Sequence, residues 1–277
     1  MNPFRRCGCV LACVLACAGA GGEEAAAPLT GILGALSGEV MLIEKEMSLK
    51  QEQTLLGLRF AAGELRGRNV VVARSGVGKV NAAMAATLLL DHFHPSEVLF
   101  SGIAGGLGKD LQPGDIVVGE KTAQHDAGRA TEGGFVRNAM RNPVDGKRNP
   151  LMIEAEARLL ALAEKARDEV TLEKVVLPEG GRVPRILRGI IVSGDSFIAS
   201  SSKKNELREA LQADAVEMEG AAVAQVCYQQ KVPCLVVRSL SDSADENAHV
   251  DAAQFEAVAA HNSAVFVLKI VELLAKR

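Results

Sequence analysis

The amino-acid sequence predicts an α/β fold: a three-layer α/β/α sandwich around a central mixed, mostly parallel sheet. Three observations carry this. Short apolar runs of strand character alternate with longer runs at helical spacing from residue 29 onward. Several strand-like runs end in glycine, serine or an acid, where open α/β sheets pass into loops and helices. A chain of 277 residues, 48% hydrophobic and 23% charged, has the length and apolar content for one such domain. No internal repeat is visible, and no domain linker stands out after residue 28.

The first element is a leader. Arg5 and Arg6 precede an apolar, small-residue stretch over residues 7–20 that closes on Ala18-Gly19-Ala20, the pattern of an export signal and too short for a spanning helix. Val14-Leu15-Ala16-Cys17 also matches a bacterial lipobox, with Val10-Leu11-Ala12-Cys13 as a second frame. Residues 1–20 are therefore read as a signal peptide, in its lipoprotein form if a cysteine is lipidated, 21–28 as a linker and 29–277 as the domain. The expected location is exported, either periplasmic or held by a lipid anchor to a bacterial membrane; a leader that does not function leaves the chain cytoplasmic. Of the six cysteines, Cys227 and Cys234 lie outside this leader. They read as small buried hydrophobes, with a disulfide as the alternative in an oxidising compartment.

Residues 29–36 form an apolar strand that ends at Ser37-Gly38, and Glu39 opens a helix. Residues 56–62 and 69–73 read as paired strands. Ser75-Gly76-Val77-Gly78-Lys79-Val80-Asn81 is a glycine turn before an apolar helix that runs through residue 90. It lacks the phosphate-loop spacing, and Val80 stands where a hydroxyl would be needed, so its glycines serve a tight turn and close packing. Residues 97–100 form a strand that leads into the glycine-rich turn SGIAGGL, Ser101 to Leu107, whose backbone N–H groups can approach a ligand closely.

Residues 114–119 are the next strand, and His125-Asp126 beyond it is expected in a surface turn. Residues 128–150 are polar, carry Arg129, Arg137, Arg141, Lys147 and Arg148, and read as a long loop, either lid or insert. Helical spacing covers 151–168, a Gly/Pro break 178–184, and a strand 187–193 that leads into Gly194-Asp195-Ser196-Phe197-Ile198. Phe197 can stack on a planar ligand or fill the core. An amphipathic helix follows over 202–212. The run AVEMEG, Ala215 to Gly220, then opens an apolar helix that continues to 229. A strong strand at 233–240 ends in Ser241-Asp242, and a long helix spans 251–276.

Composition excludes some partners. Aromatic residues make up 3%, tryptophan is absent and the formal charge is −3, so stacking platforms and a basic stripe for nucleic acid are both missing. No cysteine–histidine set has zinc-ligand spacing, and no metal site is expected.

The acids carry the chemistry. Glu217 and Glu219 sit in a small apolar run where unpartnered carboxylates are expensive to bury; compensation of a helix N-terminus is the alternative account. Glu39, Glu219 and Asp242 fall at strand ends or at the helix start beside one, positions that an open sheet gathers along one rim. Such a set suits a reaction that builds positive charge, for example cleavage of a sugar–base bond. That reaction needs an acid for the leaving base, a base for water and a group on the sugar hydroxyls. Partial burial can raise a carboxyl's pKa enough for it to donate a proton at neutrality.

From Gly31 onward the chain resembles the 5′-methylthioadenosine/S-adenosylhomocysteine nucleosidase family of the nucleoside phosphorylase superfamily. The resemblance rests on GILGALSGEV, SGVGKVNAA, SGIAGGL, GDIVV, VSGDSFI, AVEMEG and VVRSLSDSAD, in that order. It implies that Glu39 activates the attacking water and that Asp242 protonates N7 of adenine. Glu219 with Met218 would hold the ribose hydroxyls, Phe197 would stack on the base, and the Ile198 backbone would read its edge. Glu217 and Arg238 would line the water and ribose side, and Gly105 lies in the substrate-binding glycine motif. A homodimer and no cofactor are implied. Ile103 stands where many relatives have a small hydroxyl residue, and Ala252 where a relative's Phe covers the 5′-thio group. Two other readings are a phosphorylase that uses phosphate and an exported, non-catalytic nucleoside-binding protein. The first is disfavoured because no arginine lies in the first or third motif, the second because every acid is present.

Overall fold

The computed structural model describes residues 28–177 and 180–276. The signal-peptide and lipobox readings, and nearly all of the proposed linker, fall outside the described residues.

The chain alternates as expected. Strand β1 (Leu29–Gly34) leads to α1 (Ser37–Glu46), then to β2 (Ser48–Leu55), β3 (Leu58–Leu65) and β4 (Arg68–Arg74). Helix α2 (Lys79–Phe93) precedes β5 (Glu97–Gly106) and β6 (Ile116–Gln124). The insert forms the hairpin β7 (Gly128–Thr131) and β8 (Gly134–Arg137), followed by β9 (Ile153–Glu154) and α3 (Ala157–Glu169). A small hairpin, β10 (Val175–Leu177) with β11 (Gly180–Arg182), leads to β12 (Ile186–Ser193), α4 (Ser201–Leu211) and β13 (Ala215–Glu217). Helix α5 (Gly220–Gln230), β14 (Cys234–Asp242) and α6 (Ala248–Ala275) complete the chain.

The main sheet runs β13-β12-β6-β14-β5-β1-β4-β3-β2. It is parallel at β12–β13, β12–β6, β14–β5, β1–β5 and β1–β4, and antiparallel at β14–β6 and through β2–β3–β4. The far half of β5 also pairs with β13, Gly106 opposite Ala215 and Gly105 opposite Val216. Strands β13, β12, β6, β14 and β5 therefore close on themselves.

Alternation along the strands builds the layers. Val70, Val72, Leu99, Leu235 and Val237 face a core shared with α1, α3 and α6. Val71, Ala73, Val98, Phe100 and Val236 face the opposite core, with Ala82, Ala86 and Leu89 of α2 and Val223 and Cys227 of α5. A third cluster joins Leu207 and Leu211 of α4 to Val192, Val216 and Ala244 beneath the strand ends. Helix α6 is long and apolar enough to cross a membrane by composition, but 67% of its most apolar window is buried against the domain, which marks it as a core helix. Cys227 is buried, and both it and Cys234 are free thiols, so the hydrophobe reading holds and the disulfide does not.

Several expectations are corrected. SGIAGG is not a turn: β5 runs straight through it. The AVEMEG run does not begin as a helical turn, because Ala215–Glu217 is a strand and Glu219 is the N-cap of α5. Helix α3 starts at Ala157 because Ile153–Glu154 pairs with β6. Strand β2 escaped notice because its residues SLKQEQTL lie on an exposed edge and show no apolar alternation. The loop over 128–150 is partly ordered by β7–β8 and by a bridge between Arg141 and Arg148. His125 and Asp126 form a turn directly after β6, as expected, and Asp126 is exposed, but His125 is buried, at only 3% exposure.

Candidate active site

Glu39 is the third residue of α1, where its side chain turns back to cap the helix start. Its Oε2 accepts the backbone N–H groups of Ala35 (2.6 Å) and Leu36 (2.8 Å), and its Oε1 accepts that of Ile103 from β5 (3.0 Å). The Leu36 contact is the glutamate half of a capping box, with no return bond because the Leu36 side chain has no acceptor. The Ile103 contact is not explained that way. It draws the carboxylate over β5, where a Cβ on Gly102 would lie 2.8 Å from Oε1. Burial raises the pKa of Glu39; Arg238 nearby and the three N–H donors oppose the rise.

Asp242 ends β14. Its Oδ1 accepts the Ala244 N–H (2.8 Å) and its Oδ2 the Ser241 hydroxyl (2.8 Å). Ala244 has φ of 51°, a left-handed conformation that strains a residue with a Cβ and aims its N–H at the carboxyl. A Cβ on Gly105 would stand 2.8 Å from Oδ1. Burial again raises the pKa, the two donors lower it, and Asp251 and Asp245 add a smaller upward push. The side chains missing from Gly102 and Gly105 thus make room for the two acids along one strand. This is why an apolar strand carries so many glycines, and why it was mistaken for a turn.

Glu217 and Glu219 have different tasks. Glu217 accepts Arg238 Nε (3.2 Å) and Nη2 (2.8 Å), the N–H groups of Glu219 and Gly220, and the Ser193 hydroxyl. The Arg238 Nη1 donates to the Phe100 and Val237 carbonyls, and its guanidinium lies 4.1 Å over the Phe100 ring. This buried ion pair is fully satisfied from within the fold. Glu219 accepts only the Gly78 N–H through Oε1 (2.8 Å), and its Oε2 has no hydrogen-bond partner among the described residues. Burial first, and Glu217 second, push its pKa up to about 8. Met218 between them is half-buried.

Phe197 is 47% exposed beyond the end of β12, and its ring stacks on His249 of α6 with centroids 4.5 Å apart. It is therefore available to a ligand rather than committed to the core, whereas Ile198 beside it is buried. The structure thus gathers Glu39, Glu217, Glu219 and Arg238 into one electrostatic group and sets Asp242 on the same strand a few residues along. A cavity of about 360 Å³ lined by Thr122, Tyr228 and Cys234 contains none of these residues. Sequence reasoning missed Ser193, which bridges Glu217 and the Ala221 N–H (2.7 Å), Gly102, Ala244 and His249. A polar residue ending an apolar strand was the available signal for Ser193; Ala244 offered none.

Residues 30–272 match the model of the phosphorylase superfamily. The chain is 37% identical over 245 residues to a 5′-methylthioadenosine/S-adenosylhomocysteine nucleosidase of Shewanella pealeana, covering 88% of this chain and 99% of that one. Among solved structures, it resembles the nucleosidase of the same description from Neisseria meningitidis in complex with methylthio-immucillin-A, with TM-score 0.76, 35% identity, and coverage of 88% and 99%. It is also similar to futalosine hydrolase of Helicobacter pylori, with TM-score 0.75, 34% identity, and coverage of 89% and 98%.

Proposed function

This chain belongs to the phosphorylase superfamily and, within it, to the 5′-methylthioadenosine/S-adenosylhomocysteine nucleosidases, and from that premise we propose how its residues share the reaction. The reaction is hydrolysis of the N-ribosidic bond of methylthioadenosine or adenosylhomocysteine, releasing adenine and the 5′-thioribose. One observation supports the assignment of roles above others: two buried carboxyls, each with a raised pKa, overhang the side-chain-free positions of a single strand.

Asp242 is the general acid. Burial favours its protonated form, and the Ala244 and Ser241 donors stabilise the negative charge left when the proton passes to N7 of the departing base. Glu39 is the general base. Its raised pKa makes it a stronger proton acceptor than an exposed glutamate, and three N–H groups hold it in place for water. Glu219 offers its free Oε2 to the ribose hydroxyls, with Met218 beside it. Phe197 stacks on adenine and Ile198 lies along its edge. Glu217 and Arg238 set the ribose side and Gly105 the floor. The acids together favour a sugar with oxocarbenium character.

The test is adenine release from methylthioadenosine in phosphate-free buffer. Asp242→Asn and Glu39→Gln should each lower kcat by at least ~100-fold, the usual size of a lost proton-transfer group. Normal turnover in both variants would reject these roles. Phosphorolysis is not favoured, because Arg238 is consumed by Glu217 and Glu39 would repel phosphate.

Two finer readings accompany this one. The chain acts as a homodimer, supported by exposed Val77, Val80 and Met84 on and before α2 and Tyr228 on the neighbouring α5. It is exported through residues 1–20, with or without lipidation. A monomeric mass in solution would reject the first reading, and an intact Met1 in the mature protein the second.

A further inference from the structure

His125 is buried at 3% exposure, yet neither ring nitrogen has a hydrogen-bond partner among the described residues. Such a group needs a physical explanation. Its ring occupies the space left by the missing side chain of Gly194: a Cβ there would overlap the imidazole, and it would approach Asp126 to 3.0 Å. Gly194 starts the segment that carries Phe197 and Ile198. His125 donates its backbone N–H to the Ser193 carbonyl at 2.9 Å, just before this segment.

Asp126 continues the connection. Its Oδ2 accepts the Asp195 N–H (2.9 Å), and its Oδ1 accepts Lys79 Nζ (2.6 Å). Asp195 Oδ1 in turn accepts the Lys79 backbone N–H at the start of α2 (2.8 Å). The preceding residue, Gly78, donates to Glu219. One short chain of hydrogen bonds therefore joins the base-stacking segment to the turn that holds the ribose-side carboxylate.

We propose that His125 and Asp126 are positioning residues: the imidazole wedges the Gly194–Ile198 segment from behind, and the carboxylate ties it to the Gly78–Glu219 contact. The inference rests on the nucleosidase reading above. The wedge works as a neutral ring. Lys79 of α2, Arg137 of β8 and Lys203 of α4 face it, with Asp126 as the adjacent acid. Glu206 of α4 is engaged with Arg137 and Lys203, and Asp195 with Lys79. A proton on the ring would place an additional buried cation among cations. Burial accordingly holds His125 below its ordinary value of 6.5.

The experiment is steady-state kinetics on methylthioadenosine with the full-length protein across pH about 5 to 8.5. Asp126→Ala should raise KM by about 10-fold or more with kcat changed less than about 3-fold, because Asp242 and Glu39 are untouched. Asp126→Asn keeps an acceptor for the Asp195 N–H but loses the charge toward Lys79, and should fall between Ala and wild type. In wild type KM should rise as pH falls on the acid side of the ring's ordinary 6.5, and His125→Gln should flatten that rise. Glu219 titrates near pH 8 and so moves KM in a different window.

An unchanged KM in both Asp126 variants would overturn the proposal, as would an acid rise that persists in His125→Gln. If Asp126→Ala does not fold, Asp126→Asn decides. Failure of the underlying reading looks different: wild type would release no adenine at any pH.

Discussion

Glu219 is a buried carboxyl that the fold holds at a cost in stability once it is charged. Its pKa rises from 4.5 in a free chain to about 8 in the fold, through burial and then through Glu217. Between those values the native state holds more protons than the unfolded one, so stability falls as pH rises through that window and is restored as pH drops below it. Glu219→Gln retains an acceptor for the Gly78 N–H and removes the charge. At pH about 9 the ligand-free variant should be more stable than wild type by a few kcal/mol, bounded above by the roughly 5 kcal/mol that the rise from 4.5 to about 8 gives at roughly 1.4 kcal/mol per unit. The gain should vanish near pH 5. Denaturant midpoints at the two pH values check this, and a variant less stable than wild type at high pH would contradict it. The same substitution should raise KM for the nucleoside. Asp242 differs in kind, since Ser241 and Ala244 both donate to its carboxyl and would stabilise the anion left by the proposed proton transfer.

Among the elements, β5 decides the site. Gly102→Ala would press a methyl against Glu39 Oε1 and Arg238 Nη1, and Gly105→Ala against Asp242 Oδ1 and the Ala244 Cβ. Each should reduce kcat by at least ~10-fold through misplacement of an acid, while circular dichroism reports an intact fold. An active Gly102→Ala enzyme would show that Glu39 has slack. These glycines also mark the limit of what sequence could reveal. The alternation of Val70 to Ala73 and of the strand ending in Asp242 made the layers legible, because each residue type there has a preferred face. The acids were legible because carboxylates are conspicuous in apolar runs. The strand character of SGIAGG was hidden because its contacts belong to Glu39 and Asp242, which are distant in sequence. Polar β2 and the burial of His125 were hidden for the same reason: the first is an edge strand paired with β3, and the second packs against Gly194.

For the whole molecule, the helices on both faces secure a sheet whose strand ends present the acids. The pairing of β13 with the far half of β5 has a consequence for motion. Gly105 lies between β14 and β13, with ladders on both sides. The floor beneath the acids cannot breathe without breaking the closed ring of strands, whereas the hairpin β7–β8 forms a separate two-stranded sheet. In hydrogen–deuterium exchange, amides around Gly105 should therefore exchange only on global unfolding, alike with and without nucleoside, while those of the hairpin exchange early. With Gly102 and Gly105 on one strand of that ring, Glu39 and Asp242 keep a constant spacing whatever shifts around them.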